Sequence, residues 1–149
     1  MSGSLTHTPA NVMQYLLISL GAGTLPTSHG SWPIYNANEP DTPDNCLTIT
    51  DVAGVMHGRD QNSGYMQEHE GIQVRIRATD HATGWAKANS LKTLLDSRIA
   101  MSAVTVSTSS YVVGAVTRKS GPFGIGKETP SSKRELFTIN AVVSLRQVS

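Results

Sequence analysis

GIQVRIRATDHATGWAKANSLKTLLDSRI, residues 71–99, changes from one periodicity to another within a single run. Ile72, Val74, Ile76 and Ala78 alternate with Gln73, Arg75, Arg77 and Thr79, the two-residue period of a strand with one apolar and one polar face. Asp80 then stands where a helix N-cap belongs. A helix over Ala82–Ile99 places Gly84, Trp85, Ala88, Leu91, Leu95 and Ile99 on one stripe. Gly84 and Ala88 are small enough to let the helix backbone approach a sheet. Neither element carries an evident reactive group.

Working outward, Thr8-Pro9 reads as the start of another helix, with threonine as N-cap and proline at the first helical position. Val12, Met13, Leu16, Leu17 and Leu20 form its stripe, and Gly21 and Gly23 end it. Tyr15 and Ile18 fall off the stripe, which fits either a wide buried face or a contact with a neighbouring subunit. Trp32–Tyr35 reads as a short edge strand, because Pro33 cannot donate to a central ladder. Cys46–Thr50 reads as a second short strand. Gly71–Thr79, Ala103–Ser107, Val112–Arg118 and Arg134–Val148 complete the strands, with a Ser109-Ser110 turn. In the last of them Phe137, Ile139, Ala141, Val143 and Leu145 share a face. Residues 1–7 read as a loose lead-in, and Val52–His69 and Lys119–Ser132 as long loops. The expected fold is α+β in the order α-β-β-β-α-β-β-β, a mostly antiparallel sheet with two helices packed against it.

Composition narrows the function. A chain of 149 residues is expected to form one domain. Lys and Arg number 12 against 11 Asp and Glu, so no basic excess points to nucleic acid. Cys46 is the only cysteine, which excludes an intrachain disulfide and two-cysteine zinc sites. The apolar run Tyr15–Leu20 is too short for a membrane span or a signal segment, so a soluble protein is expected.

The motifs that might carry chemistry are poor matches. Gly121–Thr129 nearly fits a phosphate-binding G-x-x-x-x-G-K-[ST] loop, but Glu128 occupies the magnesium-ligand position and Pro130 leads toward a strand rather than a helix. A flexible basic hairpin loop is the expected form. His7, His29, His57, His69 and His81 are scattered. Glu68-His69-Glu70 enters a strand, where successive side chains diverge, and His57 and Asp60 complete no known ligand spacing. Cys46 opens an apolar strand and reads as packing rather than a nucleophile. The expectation is no enzyme, no cofactor and no metal. Arg75 and Arg77 project together as a nucleic-acid stripe or an inter-subunit ion-pair row.

Pro43-Asp44-Asn45-Cys46-Leu47-Thr48-Ile49, Gly71-Ile72-Gln73-Val74-Arg75-Ile76-Arg77 and Ala86-Lys87-Ala88 before the Leu91–Leu95 helix resemble the phage minor capsid and tail-terminator (tail-completion) family. Phe137–Leu145 fits that family's closing strand. In element order the resemblance spans residues 12–148. It implies a structural virion protein of the tail or neck, assembled in the host cytoplasm. Its subunits would form a ring, typically hexameric, that caps the tail tube, stops its polymerisation and joins the head-completion proteins. The implied partners are further copies of the chain, the tube protein and a neck protein. DNA would pass through the lumen without specific binding, and no membrane is involved. The candidate contact residues are Tyr15, Ile18, Arg75, Arg77, Arg118, Lys119 and Lys127. Arg75→Glu with Arg77→Glu is expected to leave the monomer folded but block assembly. The alternatives are another neck or head-completion protein, or a small nucleic-acid-binding module using Arg75, Arg77, Arg118 and Lys119.

Overall fold

The computed structural model describes residues 5–28, 30–59, 66–129 and 133–148. Helix α1 spans Pro9–Ser19, and the Thr8 hydroxyl accepts the Asn11 amide at 3.3 Å, the cap its sequence indicates. A 3₁₀ turn, Pro26–Ser28, precedes strand β1, Ile34–Asn36. Then come β2 (Cys46–Arg59), β3 (Met66–Ala78), α2 (His81–Ser97), β4 (Ser102–Val106), β5 (Ser109–Lys127) and β6 (Glu135–Gln147). Asp80 caps α2, accepting the Thr83 amide at 2.8 Å. That bond, with one from the Thr83 hydroxyl, holds the Asp80 carboxyl below its usual range.

The fold is α+β, with one six-stranded sheet ordered β1-β2-β3-β6-β5-β4. The sheet is mixed, which corrects the mostly antiparallel expectation. β1 runs parallel to β2, because the chain leaves β1 through the loop 37–45 and returns to the same end of the sheet. The other neighbouring pairs are antiparallel.

Both long loops are corrected as well. β2 and β3 pair from Cys46 opposite Arg77 out to Arg59 opposite Met66. Most of 52–69 is therefore a hairpin arm, and residues 60–65 of that expected loop lie outside the described residues. Register shifts between Val52 and Val55 bend the arm. Glycine is required there: a Cβ on Gly54 would lie 2.1 Å from the His69 carbonyl oxygen, and one on Gly71 2.2 Å from that of Ala53. β5 likewise continues through 119–127, paired with β6, while residues 130–132 lie outside the described residues. Glycines and repeated register shifts hide both strands from a reading based on alternation. The expected Ser109-Ser110 turn sits at residues 107–108, where Ser107 has φ 56°. Residues 1–4 of the lead-in are not described, whereas Thr6 donates to the Gln147 side chain at 2.9 Å and His7 to the Tyr111 hydroxyl at 3.0 Å.

One hydrophobic core joins both helices to the apolar side of the sheet: Ile72, Val74, Ile76, Tyr111, Val113, Phe137, Ile139 and Val143 meet Met13, Leu16, Leu17, Leu91 and Leu95. α1 touches β4 at one end of the strand order and β1 and β2 at the other. At about 4.8 Å per strand, a flat sheet of this size is wider than a helix. The sheet therefore curls around α1. Asp51 accepts the Ala10 amide at 2.9 Å, and Gln14 donates to the Ile34 carbonyl at 2.6 Å, which fixes the helix in the curl. α2 covers β3, β5 and β6, and Gly84 permits the contact, since a Cβ there would lie 2.5 Å from the Phe137 ring. Trp85 departs from the expected buried stripe. It is 46% exposed and leans on the Phe137 ring at 6.2 Å. Lys87 reaches back from α2 to the Ala22 carbonyl and lies 5.2 Å from the Trp32 ring centre; burial lowers its pKa.

Candidate functional site

The sheet's second face carries the arginines. Strand alternation puts Arg75 and Arg77 there, opposite Thr48 and Cys46 of β2 and Thr138 and Leu136 of β6. The loop 37–45 closes over them. Arg77 is only 1% exposed and donates to the carbonyls of Pro43 at 2.6 Å and Asp44 at 3.2 Å. It lies 3.6 Å from Glu39 and 3.7 Å from Glu128. Arg75 pairs with Glu39 at 3.3 Å by charge, without an aligned hydrogen bond. Arg134 binds Glu128 at 2.7 Å, Asp41 at 3.4 Å and Asp44 at 3.5 Å. The result is a polar layer in which Arg77 and Arg134 tie the loop and the end of β5 to the sheet.

This corrects the arginine surface. Arg77 is an internal clamp, buried because the acidic loop supplies its acceptors, and it presents nothing to a partner. Arg75 stays partly exposed. Arg118 pairs with Asp96 of α2 at 3.1 Å and bonds the Gly121 carbonyl. Lys119 and Lys127, both on β5, are exposed. Tyr15 and Ile18 are half-buried at the margin of the core. They line an open groove of about 450 Å³ with Ala103 and Thr105 of β4, Val112 of β5 and Val148. The structure thus brings Tyr15 and Ile18 together, and Lys119 with Lys127 on one strand, but it does not unite all the candidates in one patch.

The remaining chemistry is limited. Cys46 is buried beside the clamp. Burial pushes its thiol up from 9.0 to about 11, with Arg77 pulling down and Glu39 pushing up more weakly. Such a thiol is protonated at neutral pH and is a poor nucleophile. His7 meets the Tyr111 hydroxyl through Nδ1 at 2.7 Å, and His81 packs on Phe137. His29 and Asp60, and the side chains of His57 and Glu68, lie outside the described residues. Among the described residues no group of His, Cys, Asp and Glu is placed to hold a metal. Gly121–Lys127 is strand paired with β6, so among the described residues no helix N-terminus follows it, as a phosphate loop requires.

Sequence reasoning missed the acidic half of the clamp, Glu39, Asp41, Asp44 and Glu128. The available signal was an acidic, proline-containing loop in a chain with an Arg-x-Arg strand. It also missed Phe123 and Ile125, which are exposed on β5. Among the described residues no helix is long and apolar enough to cross a membrane. No curated protein matches the chain. A comparison with protein families matches residues 16–143 to bacteriophage tail terminator protein, nearly the whole of the core and sheet described above. The chain belongs to the bacteriophage tail terminator family, and is thus a structural protein of the phage tail.

Proposed function

We propose that this protein forms a ring, typically of six copies, that caps the tail tube, stops its polymerisation and joins the tail to the head-neck proteins. The observation that carries the reading is the family match over residues 16–143. A ring needs two different patches on each subunit, one meeting the other on the next copy. The Tyr15/Ile18 groove beside β4 is one candidate, and the β2–β3 ladder, which runs on past Glu70 where the pairing with β6 ends, is the other. The ring acts by shape and contact, without catalysis, cofactor or metal. It assembles in the host cytoplasm, away from membranes, and DNA passes its lumen without sequence-specific contacts.

Electron microscopy of particles made without this protein tests the reading. Overlong or unfinished tails are expected. Tails of normal length beneath empty, leaking heads would overturn it in favour of a head-completion role. Mass measurement on assembled tails would give the number of copies, and a single copy per tail would sink the ring.

A further inference from the structure

β5 changes character along its length. Up to Val113 it is an inner strand between β4 and β6. From Ala115 to Lys127 no described strand pairs with its outer side. Register shifts fall between Arg118 and Ser120, Ser120 and Phe123, and Gly124 and Gly126. Bulges, Lys119, Pro122 and Lys127 are the devices that keep an edge strand from pairing with another strand. A partner at this edge must therefore engage side chains rather than extend the ladder.

Those side chains have a definite chemistry. Phe123 is 41% exposed and Ile125 is 47% exposed. Gly124 stands opposite Phe137 and Phe123 opposite Thr138, so Phe123 turns to the arginine face of the sheet, while the register shift between Gly124 and Gly126 takes Ile125 out of the alternation. Lys119 and Lys127 flank the pair along the edge strand, Lys127 turning with Glu135 to the α2 side of the sheet, and neither has a carboxylate within ion-pair distance among the described residues. The nearby acids do not neutralise them. Glu128 turns inward to Arg134 and Arg77, and Glu135, opposite Lys127 in the ladder, makes no ion pair with it. Lys133 adds a further exposed cation.

We infer that the Lys119–Lys127 strip is a docking surface for an acidic protein segment with an apolar tip, carried on the rim of the tail tube. The inference rests on the tube-capping reading. Charge complementarity selects an acidic partner, and seating an apolar tip over Phe123 and Ile125 would exclude water and strengthen the lysine contacts. The apolar pair favours protein over duplex DNA, whose outward groups are phosphates and sugars. Single strands are disfavoured because Ile125 offers no aromatic face for stacking.

The test uses tubes purified from particles lacking this protein, mixed with the intact chain and sedimented. Phe123→Ser with Ile125→Ser, and Lys119→Glu with Lys127→Glu, are each expected to weaken tube binding about tenfold or more. The charge-reversed protein should also lose the salt dependence shown by the wild type. All four positions are exposed, so thermal midpoints should match the wild type; single Ile125→Ser and Lys127→Glu variants serve if a double variant is unstable. Full-strength binding by folded variants overturns the inference while wild-type binding keeps the capping reading. A wild-type chain that does not bind tubes overturns both. Tight, salt-sensitive binding of a short DNA duplex that Lys119→Glu with Lys127→Glu abolishes would also overturn the inference, in favour of nucleic acid.

Discussion

Arg77 sits beneath the loop 37–45 with two backbone carbonyls and two carboxylates around its guanidinium. Removing one partner from a buried charge cluster leaves the others uncompensated, at a cost of about 3–5 kcal/mol. Arg77→Ala is therefore expected to lower stability by that amount in urea unfolding. A midpoint equal to the wild type would show that Arg75 and Arg134 hold the loop without it. The expectation that Arg75→Glu with Arg77→Glu leaves a folded monomer is reversed for the same reason. Cys46 offers a second check. Its thiol is raised from 9.0 to about 11 in the folded chain, so the unfolded chain loses this proton first as pH rises. The contribution to stability is complete below pH 9 and is lost between 9 and 11. The stability difference between wild type and Cys46→Ala should shrink over that interval. A constant difference would mean that burial does not perturb the thiol.

The two helices owe their positions to different causes. α2 is placed by its own stripe, whose Leu91 and Leu95 are fully buried. Leu95→Ala should cost about 2–5 kcal/mol by leaving a cavity. Gly84→Ala should cost about 1–3 kcal/mol for the opposite reason, since the added methyl meets the Phe137 ring. Thermal melts of the two variants check both, and a neutral Gly84→Ala would show that the helix can shift outward. α1 is placed by the curl of the sheet, which buries even Gln14 once its amide bonds the Ile34 carbonyl. Its stripe was legible in residues 9–20, but the width of its burial was not, because β4 and β1 reach it from opposite ends of the strand order. The two β arms escaped sequence reading for a related reason. A bulge breaks the two-residue period, and only the partner strand shows that pairing continues past it.

For the whole molecule, the charge balance gives nucleic acid little to hold. The net charge is +1. Arg75, Arg77 and Arg118 spend their charge on Glu39, Glu128 and Asp96. Binding to duplex DNA at physiological salt should stay within the non-specific range, Kd about 10⁻⁴–10⁻⁶ M. Titration at two salt concentrations measures this; a far tighter constant that falls steeply with salt would restore the nucleic-acid module. The family itself was legible from local strings around Leu47, Val74 and Ala88, which lie where β2, β3 and α2 meet the core.

By itself the sequence determined the helices, their caps, the apolar faces of the central strands and the family. Each of these depends on residues within a few positions of one another, where the periods of helix and strand and the geometry of a cap are written locally. Only the tertiary structure decided that β1 joins parallel, that the sheet curls around α1, and that Arg77 becomes an internal clamp while Phe123 and Ile125 stay outside. Those outcomes depend on partners far away in the chain. Arg77 is buried because Glu39, Pro43, Asp44 and Glu128 come to it, and alternation along β3 can name the face it occupies but not what covers that face.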